Sequence, residues 1–484
     1  KAEALINDSL AMDKFNMGCR FESYLIHTLQ GNTEAAAAAK AEMKALMRGA
    51  VHSYLEYAID YASAGMYEEA TQLLSFVAEG NEATYPMVYY ALGYFASKMG
   101  KKDEALNLYK KAETMCPDYC FPNKLEEVLM LNDAMSLNPE GAKAPYYLGN
   151  FHYAARIYDE AIACWEKSAS IDDTYPTVLR NLSLAYYNKQ HNPQKALATL
   201  EKAYNLDTTD ARILMELDQL YKKLRYPHRQ RLDFLEAHAD VVEQRDDLCI
   251  ERITLYNQLG EYQKAYDLIN SRKFHPWEGG EGKVTSQYLL CRVELAKIAI
   301  REGRFADAVR LLKETEKYPD NLGEGKLSMA EENDIHYWMG CAYEGLGEEA
   351  LAKEYFTKAT KGSAEPAIAF FYNDQQPDKI FYQGLAWRKL GEEDKARSRF
   401  NRLIKHGEKH LFDKVKIDYF AVSLPDLLIW DDDLNVRNQI HCNLVMGMGY
   451  LGLGDKEQAR KFLSEVARLD INHQAGKQLL EMCG

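Results

Sequence analysis

The chain reads as an all-α protein, a right-handed superhelical solenoid of helix pairs, and three observations carry that reading. One block of small, aromatic and glycine residues recurs along the 484 positions at a spacing suited to a two-helix unit. Strand signals are missing: no asparagine-glycine hairpin joins alternating Val/Ile/Thr runs, and no apolar runs alternate with helical stretches. The N-terminal stretch EAAAAAKAEMKAL is built from the strongest helix formers.

In order along the chain, the first copy of the block holds Tyr54, Ala58, Tyr61, Gly65, Tyr67 and Ala70. The most complete follows, with Tyr89, Leu92, Gly93, Gly100, Ala105, Tyr109, Ala112 and Pro117. Then come Leu148, Gly149, Tyr158, Ala161 and Trp165, and two degenerate stretches, Leu182 to Ala203 and Leu217 to Leu235. The first of these has an extra residue in its turn, and the second carries Pro227 near its own. Regular copies resume at Tyr256, Gly260, Tyr262 and Ala265, then at Ala296, Gly303, Phe305 and Ala308. Further copies hold Met339, Gly340, Tyr343, Gly347, Ala352, Phe356 and Ala359, then Gly384, Trp387, Gly391, Ala396 and Phe400. The last has Gly447, Tyr450, Gly454, Ala459 and Leu463. The chemistry is steric: Gly93 and Ala105 are small where two helices cross closely, Gly100 supplies a turn, and Pro117 stops the second helix.

This pattern resembles the tetratricopeptide repeat, a helix-turn-helix unit of about 34 residues. The resemblance implies ten or eleven helix pairs over nearly the whole chain. By repeat regularity the chain divides into residues 1–120, a partly degenerate central part 121–272, and 273–484, where long segments separate the repeats.

Composition narrows the function. Fifty-nine basic against 73 acidic residues give a net charge of −14, which repels phosphate backbones and disfavours nucleic acid. No apolar stretch reaches the ~20 residues that span a bilayer. The start, KAEALINDSLAMDKF, has no signal-peptide organisation, and its first residue is Lys1. We read the chain as a piece of a longer polypeptide, with the cytoplasm as the expected compartment. The nine cysteines stand singly without a CxxC pair, which points to reduced, packed thiols and away from a disulfide framework or zinc site. No HExxH, GxSxG or GxxxxGK[ST] motif occurs, so no cofactor or metal is expected and this chain alone is not expected to be catalytic. The run Asp431 to Asp433 lacks the spaced ligands of a calcium loop, and a helix N-terminus is the expected role.

Two regions are candidates for binding. In repeats of this kind the first helix of each pair lines a concave groove, and register places Tyr90, Tyr94, Tyr146, Asn150, Tyr153, Asn181, Tyr187, Gln219, Tyr337 and Tyr382 there. The alternative for each is packing between repeats. Tetratricopeptide domains that hold a C-terminal carboxylate use basic and asparagine side chains on successive first helices, and Asn150, Asn181 and Arg212 fall on matching positions. Tyr146 and Glu216 depart from that pattern, and an acidic Glu216 would repel a carboxylate.

The second region is made by four segments too long for a standard inter-repeat turn: Lys273 to Lys283, Lys317 to Lys326, Gly362 to Lys379 and His406 to Asn438. Two of them share the tetrapeptide Gly-Glu-Gly-Lys, at Gly280 to Lys283 and Gly323 to Lys326. Equivalent connections of a solenoid lie on one edge, so these should converge. The edge would gather His275, Trp277, Glu278, Glu281, Lys283, Asn321, Glu324, Lys326, Asn373, Asp374, Gln375, Asp378, Asp418 and Tyr419, among others, a mixture suited to a polar docking surface or a sugar site. The alternative is structural: glycine turns, helix caps, and Trp277 filling a gap.

The stretches FHPWEGGEGKV, YPDNLGEGKL, FFYNDQQPDKI and KIDYFAVSLPDLLIWDDDL resemble the C-terminal repeat region of large bacterial proteins of unassigned function. In those a β-sandwich part precedes the repeats. The resemblance implies a β-rich region upstream of Lys1 and, by analogy alone, a link to carbohydrate chemistry. Two functions are therefore expected. The first is a non-catalytic scaffold holding a peptide, a partner protein or the adjoining β-rich domain. The second is an accessory region of a carbohydrate-active enzyme, with edge loops contributing to a sugar site.

Overall fold

The computed structural model describes residues 1–78, 85–277, 279–328, 330–367, 376–415 and 429–484. Among the described residues the regular structure is helical, with one 3-10 turn at Asp320–Leu322 and no strand. The chain forms two compact units, Lys1–Leu206 and Asp207–Gly484. Their boundary falls between one helix pair and the next, inside the degenerate central part.

In the first unit α1 (Ala2–Met12) precedes the pair α2 (Met17–Leu29) and α3 (Thr33–Met47), the last being the alanine-rich stretch. The pairs α4 (Val51–Ser63) with α5 (Tyr67–Ala78) and α6 (Met87–Lys98) with α7 (Lys102–Glu113) follow. After a single helix α8 (Leu125–Leu137) come α9 (Lys143–Ala154) with α10 (Tyr158–Ile171), then α11 (Pro176–Asn188) with α12 (Pro193–Leu206). Sequence periodicity did not single out α8, which packs on α6 and α9 without a hairpin partner of its own. Its outer side leaves Leu125 74% and Leu129 56% exposed.

The second unit begins with α13 (Ala211–Lys223), α14 (His228–Ala237) and the short α15 (Ala239–Val242). The pairs α16 (Asp246–Gln258) with α17 (Tyr262–Asn270), α18 (Lys283–Arg301) with α19 (Phe305–Lys313), and α20 (Asn333–Gly345) with α21 (Glu349–Ala359) follow. Then come α22 (Pro377–Lys389) with α23 (Glu393–His410), α24 (Leu434–Leu453) with α25 (Lys456–Leu469), and a terminal α26 (Gln474–Met482). The fourth long segment is shorter than its sequence suggested. Helix α23 runs through His406 to His410 because Leu403, Ile404 and Gly407 bury an apolar stripe, with Gly407 against the Cys442 carbonyl of α24.

The regular hairpins cross at one small residue facing one large one. A Cβ on Gly93 would lie 2.4 Å from the Tyr109 ring, on Gly149 2.5 Å from Trp165, on Gly340 2.6 Å from Phe356, and on Gly384 2.4 Å from Phe400. Every such pair is sixteen residues apart, which fixes the depth at which the two helices interlock. Gly93→Leu should therefore cost about 1–3 kcal/mol by overpacking against Tyr109. Urea denaturation would check it, and an unchanged midpoint would show that α6 and α7 do not cross there. Turns use the left-handed region, as at Gly100 (φ 76°). In the two degenerate stretches His191 (φ 50°) and Arg225 (φ 64°) stand in that conformation in place of glycine, which weakened the glycine spacing there, and Arg156 (φ 64°) does the same in the otherwise regular copy before them.

Candidate functional site

In the first unit the expected groove positions are buried or half-buried. Tyr90 is buried, and its hydroxyl donates to Glu113 Oε1 at 2.7 Å. Glu113 also accepts from the Lys143 backbone N–H at 2.9 Å, so one carboxylate joins α6 and α7 to the start of α9. Tyr146 is 5% exposed, its ring 5.2 Å from those of Tyr147 and Tyr175. Its side chain is thus engaged in inter-repeat packing. Asn150 and Asn181 are half-buried and meet: Asn181 Nδ2 donates to Asn150 Oδ1 at 3.2 Å, and Trp165 Nε1 donates to the same oxygen at 3.1 Å. A side-chain amide bond therefore joins α9 to α11, with the Tyr153 ring tilted against Trp165 at 5.2 Å.

Arg212 belongs to the second unit. Its exposed guanidinium pairs at 3.1 Å with Glu216, which is fully buried one turn later. The carboxylate that departs from the clamp pattern is thus neutralised within its own helix. The Glu216 carbonyl accepts from Trp430 Nε1 at 3.1 Å, and Trp430 is 1% exposed. Beside it Lys223 pairs with Asp432 at 3.0 Å, while Asp433 caps α24 by accepting from Asn435 N at 2.8 Å. The acidic run therefore serves a helix start and a tertiary ion pair.

The first two long segments interlock. Phe274 N–H donates to the Asn321 carbonyl at 2.7 Å, and Asn321 Nδ2 donates back to the carbonyls of Ile269 and Arg272, each at 2.9 Å. A Cβ on Gly323 (φ 79°) would sit 2.6 Å from the Phe274 carbonyl, so only glycine fits this approach. Glu324 accepts from Gly282 N at 2.9 Å, and burial raises its pKa against the pull of that N–H. The duplicated tetrapeptides are therefore not equivalent: Glu324 of the second holds the backbone of the first, while Glu281 is exposed.

The remaining edge residues sit as follows. Asp246 at the start of α16 anchors the first segment, gripping Arg272 Nη2 at 2.5 Å and the exposed His275 through its backbone N at 2.8 Å. Trp277 is half-buried over Gly280, where a Cβ would meet the indole at 2.0 Å. Lys283 opens α18 and is exposed. Lys326 reaches Glu332 at 2.6 Å, and Lys379 joins Asp334 at 2.5 Å to Asp378 at 3.3 Å. Burial raises the Asp378 pKa against the opposing charge of Lys379. The third segment is held by the helices that follow it: Gln383 Nε2 donates to the Ser363 carbonyl at 2.8 Å, and His441 Nε2 meets the Ala367 carbonyl at 2.8 Å. Glu278, Asn373, Asp374, Gln375, Asp418 and Tyr419 lie outside the described residues.

Sequence reasoning placed Asn321 and Glu324 on this edge but missed Phe274, Asp246 and Trp430. Their roles are set by partners from about 30 to 214 residues away, and periodicity carries no such signal. Among the described residues no group of His, Cys, Asp or Glu is arranged to hold a metal ion, and no helix is long and apolar enough to cross a membrane.

With this geometry in view, the comparisons with known proteins agree on the repeat. A tetratricopeptide repeat profile matches residues 88–119 and 334–361, and a second tetratricopeptide repeat profile matches 380–406. Among solved structures the chain is similar to YrrB, described as a TPR protein with an unusual peptide-binding site. The identity is 19% over 44% of this chain and 97% of that one, with a TM-score of 0.20. PilF of Pseudomonas aeruginosa gives 19% identity over 46% and 90%, with a TM-score of 0.27. The TPR domain of P58(IPK) gives 14% over 90% and 97%, with a TM-score of 0.22. The chain is an all-α solenoid carrying tetratricopeptide repeats.

Proposed function

We propose that the protein is a non-catalytic interaction scaffold whose long inter-repeat segments present a docking edge for a polypeptide partner. The observation that carries this reading is the interlock of the first two segments through Phe274, Asn321, Gly323 and Glu324. It spends backbone and buried groups on rigidity while His275, Glu281 and Lys283 are left on the surface. Rigid loops of this length on a repeat scaffold are usually functional, because an ordered loop binds without a further ordering cost. The half-buried Asn150 and Asn181 of the first unit add a second, amide-lined surface suited to a peptide backbone. A β-rich domain of the same polypeptide is the partner that the sequence resemblance suggests.

A photo-cross-linking residue placed at His275 or Glu281 of the full chain in cells should capture one defined polypeptide. The same residue at Lys110, exposed on the second helix of a regular repeat, should not. Equal capture from both positions would remove the edge as a docking surface. A second reading, an accessory sugar site, draws on Trp277, an indole seated on Gly280 with exposed Glu281 close in sequence. Glycan binding that Trp277→Ala abolishes would favour it over the first.

A further inference from the structure

The second unit closes on itself. Where α25 passes into α26, the chain meets helices more than 180 residues earlier, and the contact is polar and specific. Asn472 is its centre: its side-chain oxygen faces His228 Nε2 at 3.2 Å and Arg231 Nη1 at 3.3 Å, and its amide donates to the Lys222 carbonyl at 3.4 Å. Its backbone carbonyl accepts from Gln258 Nε2 at 2.5 Å. On either side, Arg225 donates to the Ala467 carbonyl at 3.3 Å, and Gln474 exchanges amide hydrogen bonds with Gln287 at 3.0 and 3.1 Å. Lys477 reaches the Gln258 carbonyl. The segment 467–477 thus spans the ends of α13, α14, α16 and α18. Each of these contacts is a hydrogen bond at the end of a helix, where opening below the free energy of global unfolding is concentrated.

Two histidines sit in this contact, and each is arranged to be neutral. His473 caps α26 by accepting on Nδ1 from Gly476 N–H at 3.0 Å, a bond that a proton on Nδ1 removes. Its pKa is lowered by burial, against the attraction of Asp470. His228 is lowered by burial and by the cations Arg231 on its own helix and Lys477 on α26, with the Asn472 hydrogen bond and Glu251 of α16 opposing. We propose that residues 467–477 are a latch which ties the ends of α13, α14, α16 and α18 together at neutral pH and releases them on acidification through protonation of His228 and His473. Because both closed-state pKa values are depressed, the stabilisation is fully present above the ordinary histidine value of about 6.5 and is lost as pH falls below it.

Hydrogen exchange of the full chain, corrected for intrinsic rates, tests this as pH is lowered from about 7 to about 5. Peptides covering α26, α13 and α16 should lose protection together while α20 and α21 keep theirs. The opening constant should rise by at most about 100-fold per pH unit, the limit for uptake of two protons. His473→Asn keeps a capping acceptor without the titration and should lower the limiting slope to about tenfold per unit, and adding His228→Gln should flatten it. Asn472→Ala should raise opening about tenfold at neutral pH. Equal protection of α26 at both pH values, simultaneous loss in α20 and α21, or a full slope in the double variant would each overturn the latch. The wild-type comparison decides the question even if a variant fails to fold.

Discussion

Arg231→Met lowers the stability of the second unit by about 3–5 kcal/mol, the range for removing one partner of a buried ion pair. Arg231 and Asp218 are each 1% exposed, and the guanidinium contacts the carboxylate at 3.0 and 2.6 Å while also reaching Glu251 at 2.7 Å. Burial works against the charged form of Glu251, but Lys222 and Arg231 outweigh it and hold its pKa down at about 2. Glu251 therefore keeps Lys222, 2.9 Å away, when the arginine is lost. Asp218 does not fare as well. Burial already pushes its pKa up, with Arg231 as the main opposing charge, so in the variant a carboxylate is left buried without its partner.

Two consequences separate this from a simple packing loss. The deficit of Arg231→Met grows as pH rises through the raised pKa of Asp218 and shrinks at low pH, where the proton neutralises the group. The double variant Arg231→Met, Asp218→Leu recovers much of the loss, since a volume-matched apolar pair no longer desolvates a charge. Urea denaturation across pH measures both. A single variant as stable as the parent at neutral pH would show that this pair is not buried in solution.

Trp430→Ala costs about 3–5 kcal/mol, the usual range for truncating a large buried aromatic. The indole is 1% exposed and spans from the start of α24 to the Glu216 carbonyl on α13. Trp430→Phe should retain most of the packing and lose about 1 kcal/mol for the Nε1–H bond to that carbonyl. Denaturation midpoints of the three proteins check the ordering. If Trp430→Ala matched the parent, the closure of α24 onto α13 would be absent.

What the amino-acid order alone determined is local and periodic. The small-against-large crossings at Gly93 and Tyr109 or Gly384 and Phe400 repeat at a fixed interval, so a reader of one strand of text can find them. Asp433 as a helix start was legible for the same reason, because a cap acts within three residues. Tyr146 marks the limit: register places it on a first helix, but only the neighbouring Tyr175 decides that its ring is packed. The unpaired α8 broke the period and so escaped it. The tertiary structure alone decided the meetings of Asn321 with Arg272, Trp430 with Glu216, and Asn472 with His228 and Arg231. Those contacts join segments about 50 to 240 residues apart, brought together by the cumulative rotation of stacked helix pairs. Each repeat contributes a small turn set by its packing, and the sum over many repeats selects which distant polar groups finally meet.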